Sequence, residues 1–553
     1  MRLPALVLSL FVAASAWAQE STTEKIVKEG LENSKVMSHL EQLTVKGGPR
    51  LTSSDRCVKA CEWAKEQFEK WGLKASLDEW NQIAANPQFK VGFNRGPWTA
   101  LMTAPEVMEI VCTTPAWQPG TDGKWAGPGV LVPDDEDAAE ALGEKLKGAW
   151  VVLTGRPKTA VLDKCHELGA FGFLRSASGD VLQGGGGPPR SFDNLPKRVN
   201  ITIIASQHKK IVQHLKDGSD VKLEFDLKNE FTKDPKCFNV IADIVGSEKP
   251  DEFVVVGGHI DSWDGAQGAT DNGTGASTTI EAARILAAIG AKPKRTIRFM
   301  LWSGEEQGLL GSGSWCRRNK EIMPNVSACF VHDMGTNYLS GLTVTEKMMP
   351  LMERVCEPLM KVVPDSDDAL SKLNKEFAFK LSPGRLAGSF GGGSSDHASF
   401  LAQGVPGFFW AQSGKAVYSK GWHTQHDTYS LAVPEYQQRS SIVIAVVALG
   451  VANLDELLPR EGMTGGGGGG GGGARRQLGI QTDQDGQTIT SVSEGTPAEK
   501  AGLKEGDKIV KIGETEVKDY ESLRSAIRGA PKETTIKLVR DGKEMELKVT
   551  FDR

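Results

Sequence analysis

The sequence has no surplus of either charge. Its 65 Lys and Arg against 70 Asp and Glu leave a formal net charge of -5 and a pI near 6.1, so it lacks the chain-wide basic surface that nucleic-acid binding leaves behind. It also lacks a long hydrophobic run at its start: the apolar stretch Leu3 to Ala16 is shorter than the roughly 20 residues a spanning helix needs, and no membrane span is expected. Cysteine is sparse, eight in 553 residues, which is compatible with disulfides in an exported protein but is no dense framework. Cys57 and Cys61 lie one helical turn apart with no second Cys or His pair nearby at zinc-finger spacing, so structural thiols or one bridge are expected. The run Gly184 to Gly187, followed by Pro188-Pro189, has no Lys-Ser/Thr after it and opens no helix, so it reads as a surface loop and not as a phosphate cradle.

What is present suits a large globular protein of two to four domains. Arg2, the short apolar run and the small-x-small end Ala16-Trp17-Ala18 mark residues 1–18 as a signal peptide, with a mature start near Gln19 and a secreted or periplasmic location. Asp55 to Trp71 repeats apolar residues at a helical period and stops at Gly72. Between 105 and 232 the texture changes to short apolar strands at 129–133, 149–154 and 171–174 separated by Gly and Pro, with one helix from Thr159 to Leu168; this reads as a separate inserted domain. From Cys237 strands and helices alternate: Asn239–Val245, Phe253–Gly258, a helix from Gly275 to Ile289, then Thr296–Trp302. That alternation predicts an α/β domain with a mainly parallel mixed sheet, discontinuous over 19–104 and 233–460. Ser440 to Leu458 reads as a closing amphipathic helix. The Gly465–Gly473 tract within a linker over 461–476 reads as a flexible tether, and 477–553 as a small independent module.

The chemistry-bearing residues sit at predicted strand ends, where α/β folds build sites. A buried run ends at His259, with Asp261 two positions on. Asp271, in the turn-rich Asp271-Asn272-Gly273-Thr274-Gly275, can bridge two cations just ahead of a helix. The next strand delivers the neighbouring carboxylates Glu305 and Glu306, whose side chains diverge so that one can bind metal while the other acts as a base. Asp333 follows another apolar strand, and His423 comes late in Trp422-His423-Thr424-Gln425-His426-Asp427-Thr428. Two imidazoles and three carboxylates suffice for two zinc ions, with manganese or cobalt chemically admissible.

His-x-Asp-Ser, the Asp-Asn-Gly loop, Glu-Glu-x-Gly, the later Asp and His-Thr-x-x-Asp-Thr, in that order, resemble the co-catalytic zinc aminopeptidase and glutamate carboxypeptidase superfamily. Residues 258–269, 292–298 and 301–308 most resemble its carboxypeptidase Q-like branch. The resemblance implies that Asp271 bridges two Zn2+, that His259 and Asp333 complete one site and Glu306 and His423 the other, and that Glu305 takes the proton of the bridging water. It implies that Asp261 orients His259 through the distal ring nitrogen, with His332 and His426 structural and Asp396, in Ser394-Ser395-Asp396-His397, a supporting residue. Related carboxypeptidases have Tyr directly before the late zinc His; this chain has Trp422, which leaves Tyr418 or Tyr429 to substitute.

The stretch 164–172 resembles a protease-associated domain, which in relatives forms a lid. The tail, with Leu478-Gly479-Ile480, Gly495-Thr496-Pro497-Ala498 and Gly506-Asp507-Lys508-Ile509, resembles a bacterial PDZ domain, which would receive a peptide C-terminus by strand addition. The expected activity is exopeptidase action on peptides or dipeptides. Aminopeptidase and carboxypeptidase or dipeptidase directions both stay open, and Arg385 and Lys415 are candidates for holding a terminal carboxylate. Family members often dimerise, so a homodimer is among the expected partners. The competing reading, a decayed peptidase acting as a PDZ scaffold, is opposed by the intact ligand set.

Overall fold

The run Val254-Val255-Val256-Gly257-Gly258-His259 is buried at every position, as a central parallel strand covered on both faces must be. The computed structural model describes residues 21–81, 89–189, 191–363, 368–386, 394–463, 478–482, 487–492, 496–518, 520–540 and 542–551. The expected leader, Gly391–Gly393, the Gly465–Gly473 tract and Gly495 lie outside them. Two compact units divide at Gly466/Gly467.

The first unit contains a mixed sheet of β1 (Lys74–Glu79), β2 (Phe238–Ile244), β3 (Lys249–His259), β4 (Arg295–Trp302), β5 (Val326–Val331), β6 (Tyr338–Val344), β7 (Lys380–Pro383) and β8 (Gly407–Ser413). Their order across the sheet is β1-β2-β4-β3-β5-β8-β6-β7. The four central strands β4, β3, β5 and β8 are mutually parallel, while β1, β2 and β6 pair antiparallel. Glycine at 258 is a packing requirement, because a Cβ there would come within 2.8 Å of the His332 carbonyl.

The closing helix runs Pro434–Ala452, earlier at both ends than the expected Ser440–Leu458. Proline stands in its first turn, where the missing N–H has no intrahelical partner to lose. It is not amphipathic: Ser440 to Leu449 is buried at every position, because helices Thr22–Glu32, Thr274–Ala288 and Met349–Met360 all pack on it. Its apolar content therefore reports a central helix and not a surface one.

Between β1 and β2 the chain builds a second eight-stranded sheet. Lys124–Leu131, Trp150–Val152, Gly172–Ser176 and Val199–Ile203 run parallel in it, and Val91–Ala104 pairs antiparallel with Lys222–Lys233 from Val91↔Lys233 onward. The sheet thus begins ahead of residue 105. Besides Thr159–Glu167, helices Glu136–Leu142 and Ala205–Lys216 belong to this region, two more than the one expected. Arg95 ties this sheet to the loop after β3 through a two-pronged, nearly buried pair with Asp264, at 2.7 and 3.1 Å.

All eight cysteines are free thiols and seven are buried; Cys57 and Cys61 lie on the buried face of helix Asp55–Lys70. Among the described residues no helix is long and apolar enough to cross a membrane. The second unit has its own core, including Leu478, Ile489, Ile509, Ile536, Leu538 and Val549, and the buried Asp507 carboxylate is held by both prongs of Arg540 at 2.6 and 2.7 Å.

Gly30, in helix Thr22–Glu32, faces Ile442 of the closing helix so closely that a Cβ would collide with its Cγ1. Gly30→Ala gains about 1 kcal/mol of helix propensity but overpacks the helix contact by about 1–3 kcal/mol. Urea unfolding is expected to show net destabilisation; an increase in stability would mean that the contact relaxes freely.

Candidate metal centre

Three parallel strands end side by side, and the site grows from their carboxyl ends. In register, His259 of β3 lies against Trp302, the last residue of β4, and Gly257 against Val331, the last of β5. The next residues of β4 and β5 therefore deliver Glu305-Glu306 and Asp333 beside His259. Asp271 comes from the turn ahead of helix Thr274–Ala288, and His423 from a loop beyond β8.

The structure brings all seven expected residues together. Asp271 spans the two imidazoles: its Oδ1 lies 3.3 Å from His259 Nε2 and its Oδ2 3.2 Å from His423 Nε2. Asp333 Oδ1 stands 3.4 Å from His259 Nε2, and Glu306 Oε2 3.0 Å from His423 Nε2. Glu305 Oε2 is farther out, 3.9 Å from His259 Nε2.

The arrangement passes the test for a cation. Among the described residues His259 Nε2 and Glu306 Oε1 are buried with no hydrogen-bond partner, a costly state unless something else satisfies them. Ligand atoms of His259, Glu305 and Asp333, and of His259, Asp271 and Glu306, lie within 4.8 Å of one another. Imidazole nitrogen with carboxylate oxygen is a donor set suited to zinc.

Without a cation, protons must balance this much buried charge. Burial alone would discharge the His259 ring, but Asp333, Glu305, Asp261 and Asp271 hold it well above the ordinary imidazole range. His423 is likewise desolvated, yet Asp271 and Glu306 raise it to about 10. Burial lifts Glu306 to about 8, helped by the Asp271 charge, and lifts Glu305 well above the carboxylate range. Asp271 also resists desolvation and is driven low by the two histidines.

A further layer fixes these side chains, and part of it is silent in the sequence. Asp261 accepts from Thr52 Oγ1 at 2.7 Å and, more loosely, from the backbone N–H groups of Glu305 and Glu306 at 3.4 Å; its Oδ1 lies 3.3 Å and its own carbonyl 3.1 Å from His259 Nδ1. The fully buried Arg50 donates to the carbonyls of Leu43, Ile260, Gln267 and Gly268. Asp427 accepts from Thr270 N at 2.6 Å, Thr270 Oγ1 at 2.7 Å and Asp271 N at 3.1 Å. Asp427 was visible within a motif; Arg50 and Thr52 carried no signal.

The remaining candidates divide. His332 is buried, its Nδ1 2.8 Å from Thr278 Oγ1, and burial pushes it down to about 4. His426 is exposed. Asp396 is completely buried, which raises it to about 7. Trp422 stacks on His423, ring centroids 4.4 Å apart. Tyr418 lies against Gly335, where a Cβ would meet its ring at 2.7 Å, and burial with the nearby Asp271 and Asp333 carboxylates holds its phenol well up. Tyr429 instead donates weakly to the Met37 carbonyl at 3.4 Å. Arg385 and Lys415 are exposed and do not line the space beside the cluster.

Residues 239–448 match the family described as Peptidase family M28, and residues 477–551 match the PDZ domain. Over 427 residues the chain is 28% identical to carboxypeptidase Q of Mus musculus, covering 75% of this chain and 84% of that protein. It is 27% identical over 428 residues to carboxypeptidase Q of Homo sapiens, with the same shares of 75% and 84% covered. Among solved structures, a peptidase M28 precursor from Shewanella amazonensis superposes with a TM-score of 0.55 at 22% identity, covering 79% of this chain and 97% of that one; at that identity the likeness speaks for the fold.

Because the Asp271 and Glu306 carboxylates raise the His423 imidazole well above its ordinary range, it holds a proton at neutral pH in the metal-free protein, and a divalent cation must displace it. Apparent zinc affinity is therefore expected to rise with pH from 6 to 9. Calorimetric titration of the metal-free protein with zinc, repeated in buffers of different ionisation enthalpy, should show proton release near pH 7. Proton-neutral, pH-independent binding would contradict the assigned charge state.

Proposed function

This chain belongs to the M28 zinc-peptidase superfamily and is a zinc metallopeptidase, and from that premise we propose that it is a secreted or periplasmic exopeptidase that cuts peptide bonds at chain ends with two zinc ions per subunit. The observation that carries the reading is the single Asp271 carboxylate spanning two imidazoles, 3.3 Å from one and 3.2 Å from the other. His259 and Asp333 would hold one ion, Glu306 and His423 the other, and Asp271 both.

When bound, zinc supplies Lewis acidity, which lowers the pKa of water and offsets charge on the substrate carbonyl oxygen. The chain's own residues do the rest. Glu305, set back from His259 relative to Asp271 and Asp333, suits the role of general base: it accepts the proton of the attacking water and passes it to the leaving amine. Asp261 holds His259 by its Nδ1 face and leaves Nε2 for the metal. Trp422 cannot supply a hydroxyl, and the Asp271, Asp333 and Glu306 carboxylates acting on the Tyr418 phenol support Tyr418 as the hydrogen-bond donor to the carbonyl oxygen. The PDZ module would hold an extended peptide by strand addition near Leu478-Gly479-Ile480, and the inserted sheet would serve as a protease-associated lid.

The deciding assay is amino-acid release from dipeptides and from N-blocked and C-blocked tripeptides. Glu305→Ala is expected to keep its zinc and lose about 100–10,000-fold in kcat; equal turnover in this variant would remove Glu305 as the base. Cleavage of C-blocked but not N-blocked peptides marks an aminopeptidase, and the reverse a carboxypeptidase. Tyr418→Phe is expected to lower kcat about 100-fold with KM nearly unchanged, and an unchanged kcat would reassign the donor.

A further inference from the structure

The glycine run at 184–187 is not simply a surface loop. It leaves the second sheet and touches the segment that carries His423. On its own side it is fixed by Ala116 N–H, which donates to the Gly185 carbonyl at 2.8 Å. On the other side Gly184 N–H donates to the carbonyl of His423 itself at 2.6 Å. Leu182 N–H donates to Gln425 Oε1 at 2.6 Å, and Gln425 N–H returns to the Leu182 carbonyl at 3.3 Å. Gln183 and Thr424 form an antiparallel bridge between these contacts.

His423 needs such support. Its φ is +57°, in the left-handed region that side-chain-bearing residues seldom occupy without being held there. Gly184 has no left-handed backbone, so glycine is present there for space: a Cβ would lie 2.8 Å from Trp263 Cβ, whereas a Cβ on Gly187 would meet nothing within 4 Å. Gly184, Trp263 and Ala266 line the small space beside Glu306 and His423.

We propose that this loop completes the active site: Gly184 positions His423 through its carbonyl and, with Trp263, walls a subsite that takes a small terminal residue of the peptide. Gly184 is a positioning residue, and the Trp263 side chain bounds the subsite. The subsite rests on the exopeptidase reading; the hold on His423 rests only on the metal centre.

The test compares Gly184→Ala, Gly187→Ala and Trp263→Phe in the full-length zinc-loaded protein, reading zinc loss to a chelator and kcat and KM for Ala-Ala, Phe-Ala and Ala-Phe. Gly184→Ala is expected to lose one zinc at least about ten-fold faster and to drop in kcat, while Gly187→Ala matches the wild type. Trp263→Phe, with a smaller ring in the wall, is expected to admit a bulkier terminal residue than wild type does. Wild type should cleave Ala-Ala and refuse one of the two Phe dipeptides. Zinc retention and kcat unchanged in Gly184→Ala would overturn the positioning role, and equal cleavage of all three dipeptides would overturn the subsite. If wild type cleaves no peptide, the exopeptidase reading and the subsite fail together, and zinc release alone decides the hold on His423.

Discussion

The carboxylate of Asp271, facing one imidazole with each oxygen, is the contact around which the catalytic unit is arranged. Its position is set from the backbone. Asp427 takes the N–H groups of Thr270 and Asp271, and Arg50 takes the carbonyls of Gln267 and Gly268 just upstream. These two side chains pin the loop from opposite sides of its hydrogen-bonding inventory, one as acceptor and one as donor. Neither needs to reach the metal. Five carboxylates and two imidazoles in one buried cluster are tolerable only with compensating positive charge.

The residues that the structure gathers into one cluster were legible because strand ends write them in a local pattern: an apolar run, then a donor. His259, Glu306 and Asp333 follow that rule, and the parallel register of β4, β3 and β5 turns three separate strings into one place. Asp271 and His423 do not end strands, and they were found through the turn and the motif around them. Arg50 and Thr52 were illegible for a physical reason. Arg50 acts through carbonyls far along the chain, whose partners no periodicity announces, and Thr52 through one hydroxyl that meets Asp261.

Local composition reads Ser440–Leu458 as amphipathic because it reports what a segment can tolerate, not what packs on it. A helix surrounded by three others can be apolar all round. A glycine loop that must approach Trp263 and His423 looks, residue by residue, the same as one that merely turns in water. The inserted sheet likewise begins at Val91, because its first strand is defined by pairing with Lys222–Lys233 and not by anything nearby in sequence.

That pairing bears on how the chain reaches its fold. The first two strands of the catalytic sheet, β1 and β2, meet in register from Lys74↔Asp243 to Glu79↔Phe238, with the whole insertion between them. Closing so long a loop in an unfolded chain is entropically expensive and slow. Once Val91 is paired with Lys233, the effective loop shrinks to the short connections on either side, which lowers the closure cost by about 2 kcal/mol on the logarithmic scaling of loop entropy. The insertion therefore acts as a splint: once paired, it holds together the strands that open the catalytic sheet.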